Sequence, residues 1–286
     1  LNVTQELLKA TGRMNLPDYQ DFITADNFFE KATHYSQEQF FPGSTQKKDF
    51  LSMVSQKILD KIIASPHDYL PRFLLFLPDL IENKHLAFYF HSEALQNTMV
   101  RYNWAGKLGG SLCLDQPDCF FDYVMPVEAN LGINKANYYL KRKIRQKIDI
   151  TDDFYTHSQL DISWQNTSTK ESKTEGTYSN YFRLYLPIGT ELLRLVENGR
   201  EVDFAVVDEA VKPNIKTTDK TDSSKLEIIK TTEAGKVNYG LLLRVSPGET
   251  KTYSFYYQKP EKIEFEKNGL YKLLAQKQLG TDNDEY

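Results

Sequence analysis

Apolar residues recur at helical spacing in the first half of this chain and alternate in the second. Over 46–64, Phe50, Val54, Ile58 and Ile62 return every fourth position, with Leu51, Leu59 and Ile63 beside them. Lys47, Lys48, Gln56, Lys57 and Lys61 lie mainly off that stripe, which predicts an amphipathic helix. Residues 3–10 read as a shorter helix closed by Gly12. A turn at Leu16-Pro17-Asp18-Tyr19 leads to an extended segment ending at Ile23. Thr24 then caps a helix carrying Phe28, Phe29, Ala32 and Tyr35. Pro42-Gly43 is a break. Ser65-Pro66 stops the long helix and starts another, with proline at its first position. Pro71 and Pro78 predict that 66–82 is kinked or split. Residues 85–90 read as a short strand, and Ser92 caps a last helix that runs to Arg101 and closes at Asn103-Trp104-Ala105-Gly106.

From Tyr138 onward the period is two. Leu140, Ile144, Ile148 and Ile150 share one face, and Lys141, Lys143, Arg145 and Lys147 the other. Leu160, Ile162 and Trp164 alternate with Gln159, Asp161, Ser163 and Gln165. The same pattern returns at Phe182–Leu186, Val237–Val245, Tyr253–Tyr257, Ile263–Phe265 and Tyr271–Ala275. Several short alternating strands separated by turn signals predict an antiparallel β-sandwich, Ig-like. The stretches 167–177 and 212–224 are polar and read as loops. The chain is therefore expected to be α+β. A helix-rich or α/β part over 1–136 precedes a β-sandwich domain over 137–286.

Composition changes this picture little. The 286 residues hold 40% hydrophobic and 26% charged side chains, enough for a core and against wholesale disorder. The formal net charge of -4 provides no global basic field, so no nucleic-acid partner is expected. No apolar run approaches the roughly 18 residues a spanning helix needs. The longest, Phe73 to Leu77, is cut by Pro78 and Asp79. A chain that opens at Leu1 inside a helix reads as an excised piece, so the lack of a targeting segment decides nothing. Cys113 and Cys119 flank a turn-forming stretch that contains Asp115, Pro117 and Asp118. That spacing suits a small disulfide loop rather than a CxxC redox or zinc motif, and points outside the cytoplasm.

The search for chemistry finds no catalytic residue set and implies no cofactor. GxSxG, P-loop and GxGxxG patterns are absent from the sequence. His34, His67, His85, His91 and His157 form no HxxxH pair, so no metal site is assigned. Asp115, Asp118, Asp122 and Glu128 could supply the hard oxygens Ca²⁺ prefers, but their spacing fits no EF-hand. The row Lys141, Lys143, Arg145 and Lys147, with Arg142 on the opposite face, is a candidate anion-binding stripe. The same row is also what a solvated outer face or a protected sheet edge would carry. Tyr185, Tyr253 and Tyr257 are candidates for an exposed aromatic row on a carbohydrate-binding sandwich. Asn130, Gly132, Asn134 and Lys135 form a candidate junction, either a shaped turn or an anion site.

That junction also carries a resemblance. The run from Pro126 to Leu140, P-V-E-A-N-L-G-I-N-K-A-N-Y-Y-L, resembles the signature segment of a bacterial envelope family known as domain of unknown function 4012. Other stretches agree in order: Leu7-Leu8-Lys9-Ala10-Thr11-Gly12, Asn103-Trp104-Ala105-Gly106, the run from Tyr178 to Gly189, Val245-Ser246-Pro247-Gly248, and Gln276-Lys277-Gln278-Leu279-Gly280. Arg13 and Leu279 stand where the family usually has proline. The resemblance implies a membrane-anchored protein with a large extracytoplasmic part. This chain would be a non-catalytic module of it, structural or binding wall polymer or an envelope protein. The alternative it implies is a fragment of a LytR-CpsA-Psr-like glycopolymer phosphotransferase, its catalytic arginines lying upstream.

Overall fold

The computed structural model describes residues 2–37, 46–113, 116, 118–132, 134–171, 175–208, 225–263 and 269–281. The expected Pro42-Gly43 break, the loop 212–224, Asp115, Pro117 and the strand beyond Ile263 lie outside the described residues. The fold is mixed, with five helices and most of the regular structure in three sheets among the described residues. Two compact units divide the chain, one built on Leu1–Lys107 and one on Leu108–Gln278.

The first unit begins with α1 (Asn2–Thr11), closed as expected by Gly12, whose N–H donates to the Leu8 carbonyl and whose φ is +72°. Strands β1 (Met14–Leu16) and β2 (Asp21–Ile23) pair antiparallel around a 3₁₀ turn at Pro17–Tyr19. Ahead of α2 (Phe28–Gln37) the caps are reciprocal. The Asn27 N–H donates to Thr24 Oγ1 and the Thr24 N–H donates to Asn27 Oδ1, a capping box with asparagine in the third position. Helix α3 (Gln46–Ala64) buries Phe50, Val54 and Ile58 against Leu8, Leu16, Ile23 and Phe28. Its neighbouring stripe does not follow: Leu59 and Ile63 are exposed, as are Leu74 and Leu75 of α4 (Pro66–Glu82).

Of the two outcomes expected for 66–82, splitting does not occur: α4 is one helix, although Pro71 and Pro78 have no N–H to give the carbonyls of His67 and Leu74. A second expectation needs correction. Residues 85–90 are not a strand. The His85 and Leu86 N–H groups both cap the Leu80 carbonyl at the end of α4, and Phe88 donates to Trp104; among the described residues no ladder partner runs alongside. Helix α5 (Glu93–Arg101) follows, with Ser92 at its N-cap making no side-chain bond there.

The second unit is built of strands and starts earlier than the alternation suggests. Strand β3 (Cys119–Asn130) belongs to it, so the units part at Lys107/Leu108 instead of 136/137. A six-stranded sheet runs β13-β3-β6-β11-β10-β9, with β6 (Tyr178–Pro187), β9 (Phe204–Asp208), β10 (Leu226–Glu233), β11 (Lys236–Val245) and β13 (Leu270–Ala275). A five-stranded sheet runs β4-β5-β12-β7-β8, with β4 (Leu140–Ile150), β5 (Thr156–Asn166), β7 (Glu191–Glu197), β8 (Arg200–Glu201) and β12 (Thr250–Gln258). Pairing is not antiparallel throughout: β13 runs parallel to β3, and β9 parallel to β10.

One apolar cluster draws on both sheets. It takes Val124, Phe182, Leu184, Leu241 and Leu243 from the larger, and Ile144, Leu160, Ile162, Trp164 and Phe255 from the smaller. The Trp164 and Phe182 rings meet edge to face at 5.3 Å, a preferred geometry for aromatic quadrupoles. Strand order is set partly by tight turns. Between Glu197 and Arg200, Asn198 and Gly199 take φ of 49° and 79°, the two left-handed residues that a hairpin of this length needs.

Candidate functional site

Alternation along β4 sends Lys141, Lys143, Arg145 and Lys147 to the outer face, where all four are exposed. The register with β5 places Gln165, Ser163, Asp161 and Gln159 directly beside them. Strand β12 adds Thr250, Thr252, Ser254 and Tyr256 in the next row. A shallow groove of about 680 Å³ opens on this face, lined by Lys143, Arg145, Gln159, Asp161, Ser163, Thr252 and Ser254 among others. Its polar side chains are already ordered. Gln159 Nε2 donates to both Asp161 oxygens at 2.9 and 3.1 Å, and Thr252 Oγ1 donates to Ser163 Oγ at 3.1 Å. At the far side the Arg194 guanidinium stacks 3.9 Å above the Tyr256 ring. The face thus combines a cationic rim on an edge strand with a floor of hydroxyls, amides and the Asp161 carboxylate.

Arg142, on the inner face of β4, has a different task. Its Nη1 donates to Glu128 Oε1 at 2.6 Å, and both side chains are nearly buried, 7% and 13% exposed. Trp164 Nε1 donates to the same oxygen at 2.5 Å, and the Tyr178 hydroxyl to Oε2 at 2.7 Å. Burial, with the Glu128 charge next, pushes the Tyr178 hydroxyl far above the ordinary tyrosine range. One carboxylate therefore gathers three donors from β4, β5 and β6.

The junction Asn130, Gly132, Asn134 and Lys135 is a hydrogen-bonded turn. Asn130 Oδ1 accepts from the Gly132 N–H at 2.9 Å, and its Nδ2 donates to the Asn134 carbonyl at 3.3 Å. Asn134 Nδ2 donates to the Thr177 carbonyl at 2.9 Å, while its Oδ1 accepts from the Ala136 N–H. Lys135 is half-buried at the head of the 3₁₀ turn Ala136–Tyr139. Gly132 does not sit in the left-handed region. A Cβ there would meet Asn130 Oδ1 and Asn134 Oδ1, each at 3.0 Å, so any other residue must press these two bonded amides back by a few tenths of an ångström. The Gln276-Lys277-Gln278 element extends β13 with side chains. Gln276 Oε1 accepts from the Gly109 N–H and the Tyr123 hydroxyl, both at 2.8 Å. Gln278 Oε1 accepts from the Glu128 N–H at 2.7 Å, and its Nε2 donates to the Glu128 carbonyl at 3.0 Å.

Cys113 and Cys119 form a disulfide, with Cα atoms 5.5 Å apart, at the entry to β3. Two of the clustered acids are answered by cations of the chain: Glu128 by Arg142, and Asp122 by Lys259 Nζ at 3.1 Å. Among the described residues no three His, Cys, Asp or Glu side chains come together as a metal site would require. The expected aromatic row also dissolves. Tyr253 and Tyr257 lie in the core, and Tyr185 is buried with its hydroxyl donating to Glu233.

Burial pushes the Lys259 ammonium below the ordinary lysine range, with the Asp122 charge opposing it. Neither this pair nor the Glu128 hub was foreseen. The one signal available was Asp122 itself, an acid at an inward position of a strand between Phe120 and Val124.

No family model and no curated protein matches the chain. Among solved structures, a candidate nutrient-binding protein from Legionella pneumophila aligns at 11% identity and a TM-score of 0.26, over 50% of this chain and 42% of its own. An M1 zinc metallopeptidase from Deinococcus radiodurans aligns at 9% identity and a TM-score of 0.18, over 52% of this chain and 21% of its own. The chain thus spans less than half the length of either protein.

Proposed function

We propose that residues 108–278 are an Ig-like β-sandwich serving as a non-catalytic, extracytoplasmic module of a bacterial envelope protein of the domain of unknown function 4012 type. Its outer sheet face binds an anionic wall polymer. The observation that carries the reading is the groove beside Lys141, Lys143, Arg145 and Lys147, a cationic rim over a hydroxyl- and amide-rich floor. Such a face suits polyol-phosphate or uronate chains, whose charge the lysines meet and whose hydroxyls Ser163, Thr252 and Gln159 pair. The disulfide supports an oxidising compartment, where such bonds persist. No helix among the described residues is long and apolar enough to cross a membrane.

The test is titration of the protein with a purified polyol-phosphate polymer and with a neutral glucan of similar length, at two salt concentrations. Binding to the polyanion alone, weakening as salt rises and lost in Lys143→Glu/Arg145→Glu at unchanged melting temperature, is the expected result. Equal affinity for the two polymers, or a charge-reversed variant that binds normally, removes the reading.

A further inference from the structure

Lys259 and Asp122 are placed for a reaction with each other. Asp122 is fully buried on β3, and Lys259, just beyond β12, is 2% exposed. Asp122 belongs to the six-stranded sheet, and Lys259 follows directly on a strand of the five-stranded one, so the pair links the two. Nζ lies 3.1 Å from Asp122 Oδ1, which sets the amine beside the carboxyl group it would attack. It lies off the hydrogen-bonding direction, and the buried amine makes no hydrogen bond to any described residue. Its other surroundings are aromatic: Nζ sits 4.1 Å from the centre of the Phe120 ring and 5.2 Å from that of Tyr271, and these rings stack on each other at 5.6 Å. The Tyr271 hydroxyl donates to Asp122 Oδ2, and the Tyr123 N–H donates to Oδ1 at 2.7 Å.

We propose that Lys259 and Asp122 condense after folding into an intramolecular isopeptide bond between Nζ and Cγ. The balance needs no other reactant. A proton passes from the Lys259 ammonium to Asp122 Oδ1, leaving a neutral amine and a neutral acid, the form a dry site favours. The amine lone pair adds to Cγ, and the Nζ–Cγ bond forms. The Cγ–Oδ1 bond then breaks, and Oδ1 departs as water with two of the three ammonium hydrogens. Oδ2 remains as the amide oxygen, its developing charge stabilised by the Tyr271 hydroxyl and its departing partner held by the Tyr123 N–H.

The contrast with Glu128 and Arg142 shows why this pair reacts and that one does not. Both are buried ion pairs, but a guanidinium keeps its proton in proteins, whereas a desolvated lysine gives it up and becomes a nucleophile. The product would tie β3, near the start of the unit, to the segment leaving β12, near its end. Every residue between 122 and 259 would then sit inside a covalent loop, shielded from a pull applied at the ends of the unit. That property goes beyond polymer binding and does not depend on it.

Intact mass of the purified full chain, disulfide reduced and thiols alkylated, decides the matter. The expected mass is lower than the sequence requires by one water, and trypsin should release a branched peptide joining the segments around Asp122 and Lys259. Lys259→Met and Asp122→Ala should each restore the full sequence mass. Asp122→Asn should give the same branched peptide, formed with loss of ammonia. A wild-type chain at full sequence mass after prolonged incubation at neutral pH overturns the proposal. So does a water loss that survives in Lys259→Met.

Discussion

Replacing Glu128 by glutamine preserves its shape and removes its charge, which isolates the role of the carboxylate at the meeting of β3, β4, β5 and β6. Arg142 would keep its buried position, 7% exposed, with no counter-charge. Removing one partner of a buried ion pair costs about 3–5 kcal/mol. The bonds from Trp164 and Tyr178 fall from the charged to the neutral class, a further loss of roughly 1 kcal/mol each. The glutamine oxygen recovers part of this by accepting from Arg142, so about 3 kcal/mol is expected in all. Urea unfolding of the full chain, followed by near-ultraviolet circular dichroism of the buried aromatics, should show the midpoint falling by about 1–2 M with an unchanged slope. Glu128→Gln/Arg142→Met should recover at least half of the loss, because the orphaned cation is gone. A loss below about 1 kcal/mol in the single variant, or a double variant whose losses simply add, would falsify the reading of Glu128 as the counter-charge that makes the cluster tolerable.

Three further outcomes follow from the same structure. Cys113→Ser/Cys119→Ser should lower unfolding free energy by about 2 kcal/mol on the chain-entropy estimate for so short a loop, and wild type should alkylate at these positions only after reduction. Gly132→Val should destabilise by about 1–3 kcal/mol in thermal melts, since its Cβ collides with the Asn130 and Asn134 amide oxygens; a neutral substitution would mean the turn yields easily. In the first unit, bonds from Lys31, then Tyr35, then the Phe22 N–H hold the Asp21 carboxyl at about 2, below its ordinary 3.8. A group so depressed contributes its stability above its unfolded value and loses it as pH falls from about 4 toward 2, so melting temperature should drop through that window in wild type and more gently in Asp21→Asn.

Helix and strand content was legible wherever one face of an element meets water. The stripe Phe50, Val54, Ile58 and the alternation of β4, β5, β6, β11 and β12 mark such faces, and all of these elements form. Strand β3 was missed for the opposite reason. Residues Phe120 to Pro126 are buried on nearly every side, so no period shows, and Pro126 argues against a strand. The structure shows why that proline is harmless. The Glu128 N–H points away from β6 to the Gln278 side chain, so Pro126, two residues earlier, faces the same way, beyond the last residue of β13. The outer stripe on β4 was legible because charge alternates as cleanly as hydrophobicity. The groove beside it was not, because its floor comes from β12, far along the chain and adjacent only through the sheet.

The two buried ion pairs share a geometry that bears on how this unit keeps its register. Both begin on β3: Glu128 reaches β4, and Asp122 reaches the segment leaving β12. Apolar contacts between two sheets tolerate sliding, since one leucine substitutes for another at modest cost. A carboxylate that must meet its cation does not, because a shift by one residue turns every side chain of the strand to the opposite face. The shift would turn both carboxylates away and leave the Arg142 cation buried without its partner, at a cost of several kcal/mol. Strand β3 most needs such a constraint. It is paired to β6 only from Met125 onward and to the short β13 before that, and it lacks the alternation that fixes the other strands. The polar side chains that bond its backbone, Gln278 at Glu128 and Asn180 at Ala129, act in the same sense. Charge placed inside this unit therefore supplies the register that hydrophobic patterning leaves open. It does so on the strand where the sequence gives least warning.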